Sequence, residues 1–192
     1  ERHKPKIHQN RLPKREKHIL TIKRLVKNLT NILNDFLSLD KLEQGKVVSH
    51  PSKFLLKEII EEIVEELKEV SEKQLIQVQH ESDELELSQD KEMLRNVVIN
   101  LLSNAIKYSP QKGTVLVKTS KSDTNIIIEV RDQGIGIPAE DQKHLFERFF
   151  RANNAITISG TGLGLNIVKR YLDLMGGSIT FTSQENVGTT FI

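Results

Sequence analysis

The chain of 192 residues contains no cysteine and no tryptophan. That excludes a disulfide framework and any thiolate metal site, and fits a reducing compartment. It also lacks a dominant charge: 28 Lys and Arg stand against 26 Asp and Glu, for a net +2. No global field therefore marks a nucleic-acid binder, and no nucleic-acid partner is expected. The basic excess is local, within residues 2 to 27. No apolar run approaches the ~20 residues of a membrane span, and no signal peptide opens the chain. Internal repeats and low-complexity tracts are absent as well. A soluble, cytoplasmic piece without membrane contact of its own is expected, from a parent that could carry an anchor elsewhere. The length suits one domain plus an appendage. The basic opening and the barely begun strand at Gly188-Thr-Thr-Phe-Ile192 read as a fragment of something longer.

What is present begins with a long helix. From Lys14 to about Glu43 no Gly or Pro intervenes, Pro13 suits a position just inside the helix start, and Gly45 follows its end. Ile22, Leu25, Leu29, Ile32, Phe36 and Leu39 are separated by 3, 4, 3, 4 and 3 residues, a heptad seam that Val26, Leu33, Leu37 and Leu42 widen into a face. So wide a stripe suits a helix bundle, with a homodimer through the Ile22 to Leu39 face as the expected partner arrangement. The alternative is a helix packed on its own domain.

After Gly45 an extended connector, Val47 to Leu55, leads to an amphipathic helix marked by Leu56, Ile59, Ile60, Ile63, Val64, Leu67 and Val70. Strands are predicted over 75–79, 85–87, 115–119, 126–130, 178–182 and from Thr189 onward; helices over 90–108, 141–150 and 163–175, with a loop over 151–161. Ser88 or Asp90 can cap the helix ending at Tyr108, and Gly176-Gly177 ends the last one. Helices segregated from a mixed or antiparallel sheet predict an α+β fold. The expectation is a two-layer sandwich of a mixed sheet and helices, preceded by the long bundle-forming helix, with a boundary between 1–46 and 47–192.

Three motifs carry the chemistry: Asn100-Leu-Leu-Ser-Asn104-Ala-Ile-Lys107-Tyr108, Asp132-Gln-Gly134-Ile-Gly136-Ile137-Pro138 and Gly160-Thr161-Gly162-Leu163-Gly164-Leu165. In the first, Asn96, Asn100, Asn104 and Lys107 share one helical stripe at spacings of 4, 4 and 3. Asparagine is a poor helix-interior residue, so its recurrence among leucines calls for a reason. An amide oxygen suits Mg²⁺, which takes its remaining ligands from phosphates and water, and Lys107 would face the same phosphates. The bland reading is a solvated stripe. Asp132 is an acceptor-only carboxylate beside glycines that let backbone approach a planar ligand; it suits the exocyclic amine of adenine and repels the guanine carbonyl. Alone, Asp132-Gln-Gly134 would read as a β-turn. The third motif runs into a helix, so its N–H groups and the helix start can hold phosphate oxygens. The polar loop from Arg151 to Ser159 suits a lid, Phe146, Phe149 and Phe150 suit packing, and either Arg148 or Arg151 could reach the phosphates.

Residues 100–110, 132–138, 145–151 and 160–168 resemble the N, G1, F and G2 boxes of bacterial sensor histidine kinases. These belong to the ATPase superfamily shared with heat-shock chaperones, type II topoisomerases and mismatch-repair ATPases. The resemblance spans nearly all of 47–192, and the helix to Glu43 resembles the second helix of the kinases' dimerisation hairpin. It implies ATP and Mg²⁺ as cofactors, Asn104 as the metal ligand, Asn100 supporting the catalytic water and metal shell, and Lys107 on the phosphates. Tyr108 would lie near the nucleotide. Asp132 would read adenine beside Gly134, Gly136 and Ile137, and the loop from Gly160 to Leu165, with Arg151, would close the phosphate side. The implied reaction is phosphoryl transfer to a histidine on an upstream hairpin helix, then relay to a response-regulator receiver domain. The alternatives are an ATP-gated dimerisation module without kinase activity and an anti-sigma-type serine kinase. His8-Gln-Asn-Arg11-Leu-Pro13 imitates the phosphoacceptor spacing, but Gln9 replaces the usual acid and residues 10–14 leave no room for an antiparallel helix. His18 is a weaker candidate still, and His3, His50, His80 and His144 look like surface or loop residues.

Overall fold

A computed structural model describes residues 12–68 and 74–192. His3 and His8, as well as Val70 at the end of the second predicted helix, lie outside them. Helix α1 runs Leu12–Glu43, β1 Ser52–Leu55, α2 Leu56–Lys68, β2 Leu75–His80, β3 Glu86–Gln89 and α3 Lys91–Tyr108. Strands β4 (Thr114–Lys121) and β5 (Ile126–Arg131) precede α4 (Gly164–Met175), and β6 (Phe181–Gln184) and β7 (Gly188–Phe191) close the chain.

The main sheet has the order β2-β4-β5-β7-β6. β2 runs parallel to β4, with Leu75 opposite Thr114, and every other neighbouring pair is antiparallel. β1 and β3 form a separate antiparallel ribbon. Along β4 the buried positions alternate, Val115, Val117 and Thr119, as a sheet with one covered face requires. Ile59, Ile60 and Ile63 of α2, Val98 and Leu102 of α3 and Val168 of α4 meet that face in one core. Each such burial contributes about 1.5–3 kcal/mol. The result is the expected mixed-sheet α+β sandwich.

Local chemistry explains the boundaries. Asp90 caps α3 by accepting from the Met93 N–H at 2.9 Å, and its other oxygen accepts from His50 N–H at 2.7 Å. Burial opposes the charge of this carboxyl, but the amides of His50, Met93 and Glu92 hold its pKa below the ordinary value. Gly176, at φ 70°, ends α4 with the Gly177 N–H bonded to the Leu172 carbonyl at 2.8 Å.

Three expectations need correction. Residues 141–150 are not a helix: only the 3₁₀ turn Gln142–His144 forms, because Asp141 is committed to Asn153 and Phe149 adopts φ 60°. The connector after Gly45 contains β1, which finds a ladder partner in β3. The strand predicted over 178–182 starts later, at Phe181.

The seam of α1 divides in two. Ile22, Leu25, Leu29, Ile32 and Phe36 are 49–67% exposed. Leu39 is 4% exposed, packed with Leu163 and Ile167, with Leu42 and Tyr171 beside them. The reading of a helix packed on its own domain holds for the last turns, while the earlier face of α1 is open. No described helix is long and apolar enough to cross a membrane.

Candidate functional site

A cleft of about 740 Å³ opens between α3, the turn after β5 and the loop before α4. One wall is the polar stripe of α3, lined by Asn96, Asn100, Asn104, Lys107 and Tyr108. Asn96 and Asn100 each turn an amide N–H back onto their own helix, to the carbonyls of Glu92 (2.8 Å) and Asn96 (2.9 Å). Their side-chain orientations follow, because a carbonyl can only accept, so the amide oxygens point away. The Asn100 oxygen faces the start of α4, 2.7 Å from where a Cβ on Gly164 would stand. Lys107 Nζ lies 4.5 Å from the Tyr108 ring centroid and against the Gly160 backbone.

Asp132 is the second wall, 8% exposed at the end of β5. Its Oδ1 accepts from Gly134 N–H at 2.7 Å and Thr189 N–H at 3.3 Å. Burial raises its pKa, and these two amides only partly offset that. The turn it starts is held by Ile135 N–H to the Tyr108 carbonyl, 3.2 Å, and by Ile137 N–H to Ser183 Oγ, 2.9 Å. Gly136 sits at φ 61° with no space for a side chain: a Cβ would stand 2.0 Å from the Gln184 carbonyl oxygen.

The third wall is the glycine loop. Gly162, at φ 72°, crosses so near the Phe149 backbone that a Cβ would lie 2.6 Å from its carbonyl carbon. Thr161 Oγ1 accepts from Leu163 N–H at 3.1 Å and donates to Asp35 Oδ2 at 2.9 Å.

Of the residues the sequence singled out, Asn100, Asn104, Lys107, Tyr108, Asp132, Gly136, Ile137, Arg151, Gly160, Thr161, Gly162, Gly164 and Leu165 all line the cleft. Gly134 and Leu163 stand behind it, the first as an amide donor to Asp132, the second 1% exposed under α1. Arg151 turns its guanidinium onto the loop itself, to the carbonyls of Ala155 (2.7 Å), Ile156 (2.9 Å) and Ile158. Arg148 pairs with Glu43 of α1. Among the lining residues that went unread are Asp35, Asn154 and Thr189. Asn154 donates to the Gly136 carbonyl at 3.0 Å, so the loop is tied to the opposite turn. An isolated polar residue has no spacing partner to give it away in sequence.

Residues 89–192 match the family described as histidine kinase-, DNA gyrase B- and HSP90-like ATPase. The chain belongs to this ATPase family. Among relatives, the signal transduction histidine-protein kinase BarA of Escherichia coli K12 is 38% identical over 189 residues, covering 93% of this chain and 20% of that protein. The chain thus spans about a fifth of the length of such relatives. Among solved structures, the mycobacterial sensor histidine kinase MprB is 30% identical with a TM-score of 0.67, over 73% of this chain and 94% of that one. Full-length ShkA in complex with AMPPNP has the same fold, with a TM-score of 0.78 at 22% identity over 92% of this chain and 37% of that one. The expected likeness of this ATPase-family chain to the ATP-binding catalytic domain of sensor histidine kinases is borne out.

Proposed function

We propose that the chain binds Mg-ATP in this cleft and transfers the γ-phosphoryl group to a histidine on a helix that pairs with α1. In this reading residues 1–46 are part of a dimerisation and histidine-phosphotransfer segment, and 47–192 are the catalytic domain. The observation that carries it is Asp132: a buried carboxylate in the wall of a cleft that also gathers a lysine, amide oxygens and a glycine loop. Oδ1 is spent on two main-chain amides, which holds the group for Oδ2 to accept the adenine amine. A related structure carries the ATP analogue AMPPNP, which supports the choice of nucleotide.

Among the described residues no group of three or more His, Cys, Asp or Glu could hold a metal. The donor set instead suits an ion that takes amide oxygen, water and phosphate ligands, and Asn104 is the ligand on this chain. Bound Mg²⁺ would neutralise charge on the phosphates. Asn100 would support the shell of the bound ion, Lys107 would neutralise phosphate oxygens, and Gly160 to Leu165 would supply backbone amides with Arg151 bracing the loop. A ring nitrogen of the acceptor histidine forms the new P–N bond as the bond from Pγ to the bridging oxygen breaks, and ADP leaves. The phosphoryl group then passes to an aspartate on a response-regulator receiver domain. The open face of α1 pairs two copies, and the chain works in the cytoplasm.

The test is label transfer. With γ-labelled ATP, a hairpin carrying its histidine should acquire label only when the intact chain is present. A chain that binds ATP yet never labels the hairpin would leave the gate reading instead.

A further inference from the structure

Helix α1 reaches the cleft at one end only, where Ile32, Asn34 and Asp35 join its lining. Asp35 Oδ2 accepts from the Thr161 hydroxyl at 2.9 Å, and Thr161 in turn accepts from the Leu163 N–H. This relay satisfies a loop amide and directs the hydroxyl proton at a carboxylate on α1. Lys107, packed against the neighbouring Gly160, attracts the same carboxylate. A side-chain anion therefore occupies the Thr161 hydroxyl and sits within the field of Lys107, the two groups that a terminal phosphate would use. Packing below holds the helix there: Leu39 is buried on Leu163 and Ile167, Tyr171 bonds Ser38, and Glu43 meets Arg148 and Arg170.

Building on the nucleotide reading above, we propose that Asp35 discriminates between triphosphate and diphosphate. The nucleotide reading puts the phosphates on Lys107 and the Gly160 to Leu165 loop, and Asp35 bonds Thr161 of that loop, so a further phosphate on the chain arrives beside Asp35. Two anions would then compete for one lysine and one hydroxyl in a partly desolvated space, and like charges there repel more strongly than in water. A triphosphate drives α1 off the glycine loop. A diphosphate, one group shorter, leaves the Asp35–Thr161 contact in place. Docking of α1 thereby reports the γ-phosphate, and departure of that phosphate lets the helix return.

The test titrates Mg²⁺ with ADP, and Mg²⁺ with a non-hydrolysable ATP analogue, into the intact chain, Asp35→Asn and Leu39→Ala. Asn keeps an acceptor for Thr161 but removes the charge, whereas Leu39→Ala loosens docking without touching the cleft. Asp35→Asn should tighten the triphosphate about fivefold and leave the diphosphate within about twofold. Leu39→Ala should shift the ratio the same way. Amide exchange over residues 34–43 of the unsubstituted chain should accelerate with the triphosphate and not with ADP. An unchanged triphosphate-to-diphosphate ratio in Asp35→Asn, or a weaker triphosphate, would overturn this proposal while nucleotide binding stood. Failure of every variant and the parent chain to bind either nucleotide would overturn the nucleotide reading as well.

Discussion

Around Asp132 the cleft is held by main-chain bonds, Asp132 N–H to Thr189 and Ile135 N–H to Tyr108, and by main-chain amides donating to the Asp132 carboxylate, whereas around Thr161 it is held by side chains arriving from α1. The first wall is buried and continuous with the sheet; the second carries exposed Phe149 and Ile156, at 64% and 61%. A wall built from ladder bonds opens only with the fold. One built from a few side-chain contacts can open alone, at a free energy below that of global unfolding. In the proposed reading, base recognition at the Asp132 wall and conformational response at the Thr161 wall rest on different kinds of bonding.

The sharpest way to break this contrast is to add one methyl group to each wall. Gly136→Ala puts a Cβ into the Gln184 backbone at positive φ, so the sheet edge itself must move; we expect about 3 kcal/mol of lost stability in denaturant unfolding. Gly162→Ala meets Phe149 in the loop, which can shift locally. Its unfolding midpoint should move far less while triphosphate affinity falls about tenfold. Equal losses of global stability in the two variants would show that the loop is as tightly built as the sheet.

A smaller effect is expected where α1 docks. Leu39→Ala removes the buried α1 side chain of that contact and leaves Leu163 and Ile167 with only the partly buried Leu42 and Tyr171 beside them. Leu→Ala in a core costs about 2–5 kcal/mol, and a two-sided surface contact should fall at the low end. The loss should appear as faster amide exchange in α1, with the core helices α2 and α3 unchanged. Faster exchange throughout the domain would mean that α1 is part of the main fold.

The smallest effect is on pH dependence. Burial raises the Asp132 pKa above its ordinary 3.8, so the folded chain binds this proton more tightly than the unfolded chain. That contribution is full below the unfolded value and is lost as pH rises through the folded one. At neutral pH the buried charge therefore weakens the fold, and its removal in Asp132→Asn should leave thermal stability unchanged or slightly higher. The variant's stability should also fall less steeply as pH rises from the acid side of the carboxylate range. A marked loss of stability at pH 7 would show that the second oxygen does structural work.

The contrast also explains what could be read in sequence. Asn100, Asn104 and Lys107 lie on a helix whose period fixes which residues share a face, and the structure brings them to one wall. Asp132 and the glycines follow β5 and precede α4, so local geometry again fixed their places. The failures fall at the open wall. A helix over 141–150 looked continuous because nothing in the sequence announces that Asp141 bonds Asn153 or that Phe149 takes positive φ. Asp35 was passed over because it lies beside the apolar seam on α1 and meets Thr161 only through a contact 126 positions along the chain. Spacing arguments reach one element; contacts between distant elements need the fold.

The most direct test of the account is calorimetric titration of Mg²⁺ and a non-hydrolysable ATP analogue into the intact chain and into Asp132→Asn. The account predicts saturable binding that strengthens with Mg²⁺ and falls at least about a hundredfold in the variant, whose fold remains intact. Equal binding by the two chains would contradict it, because the buried carboxylate would then not be reading the base.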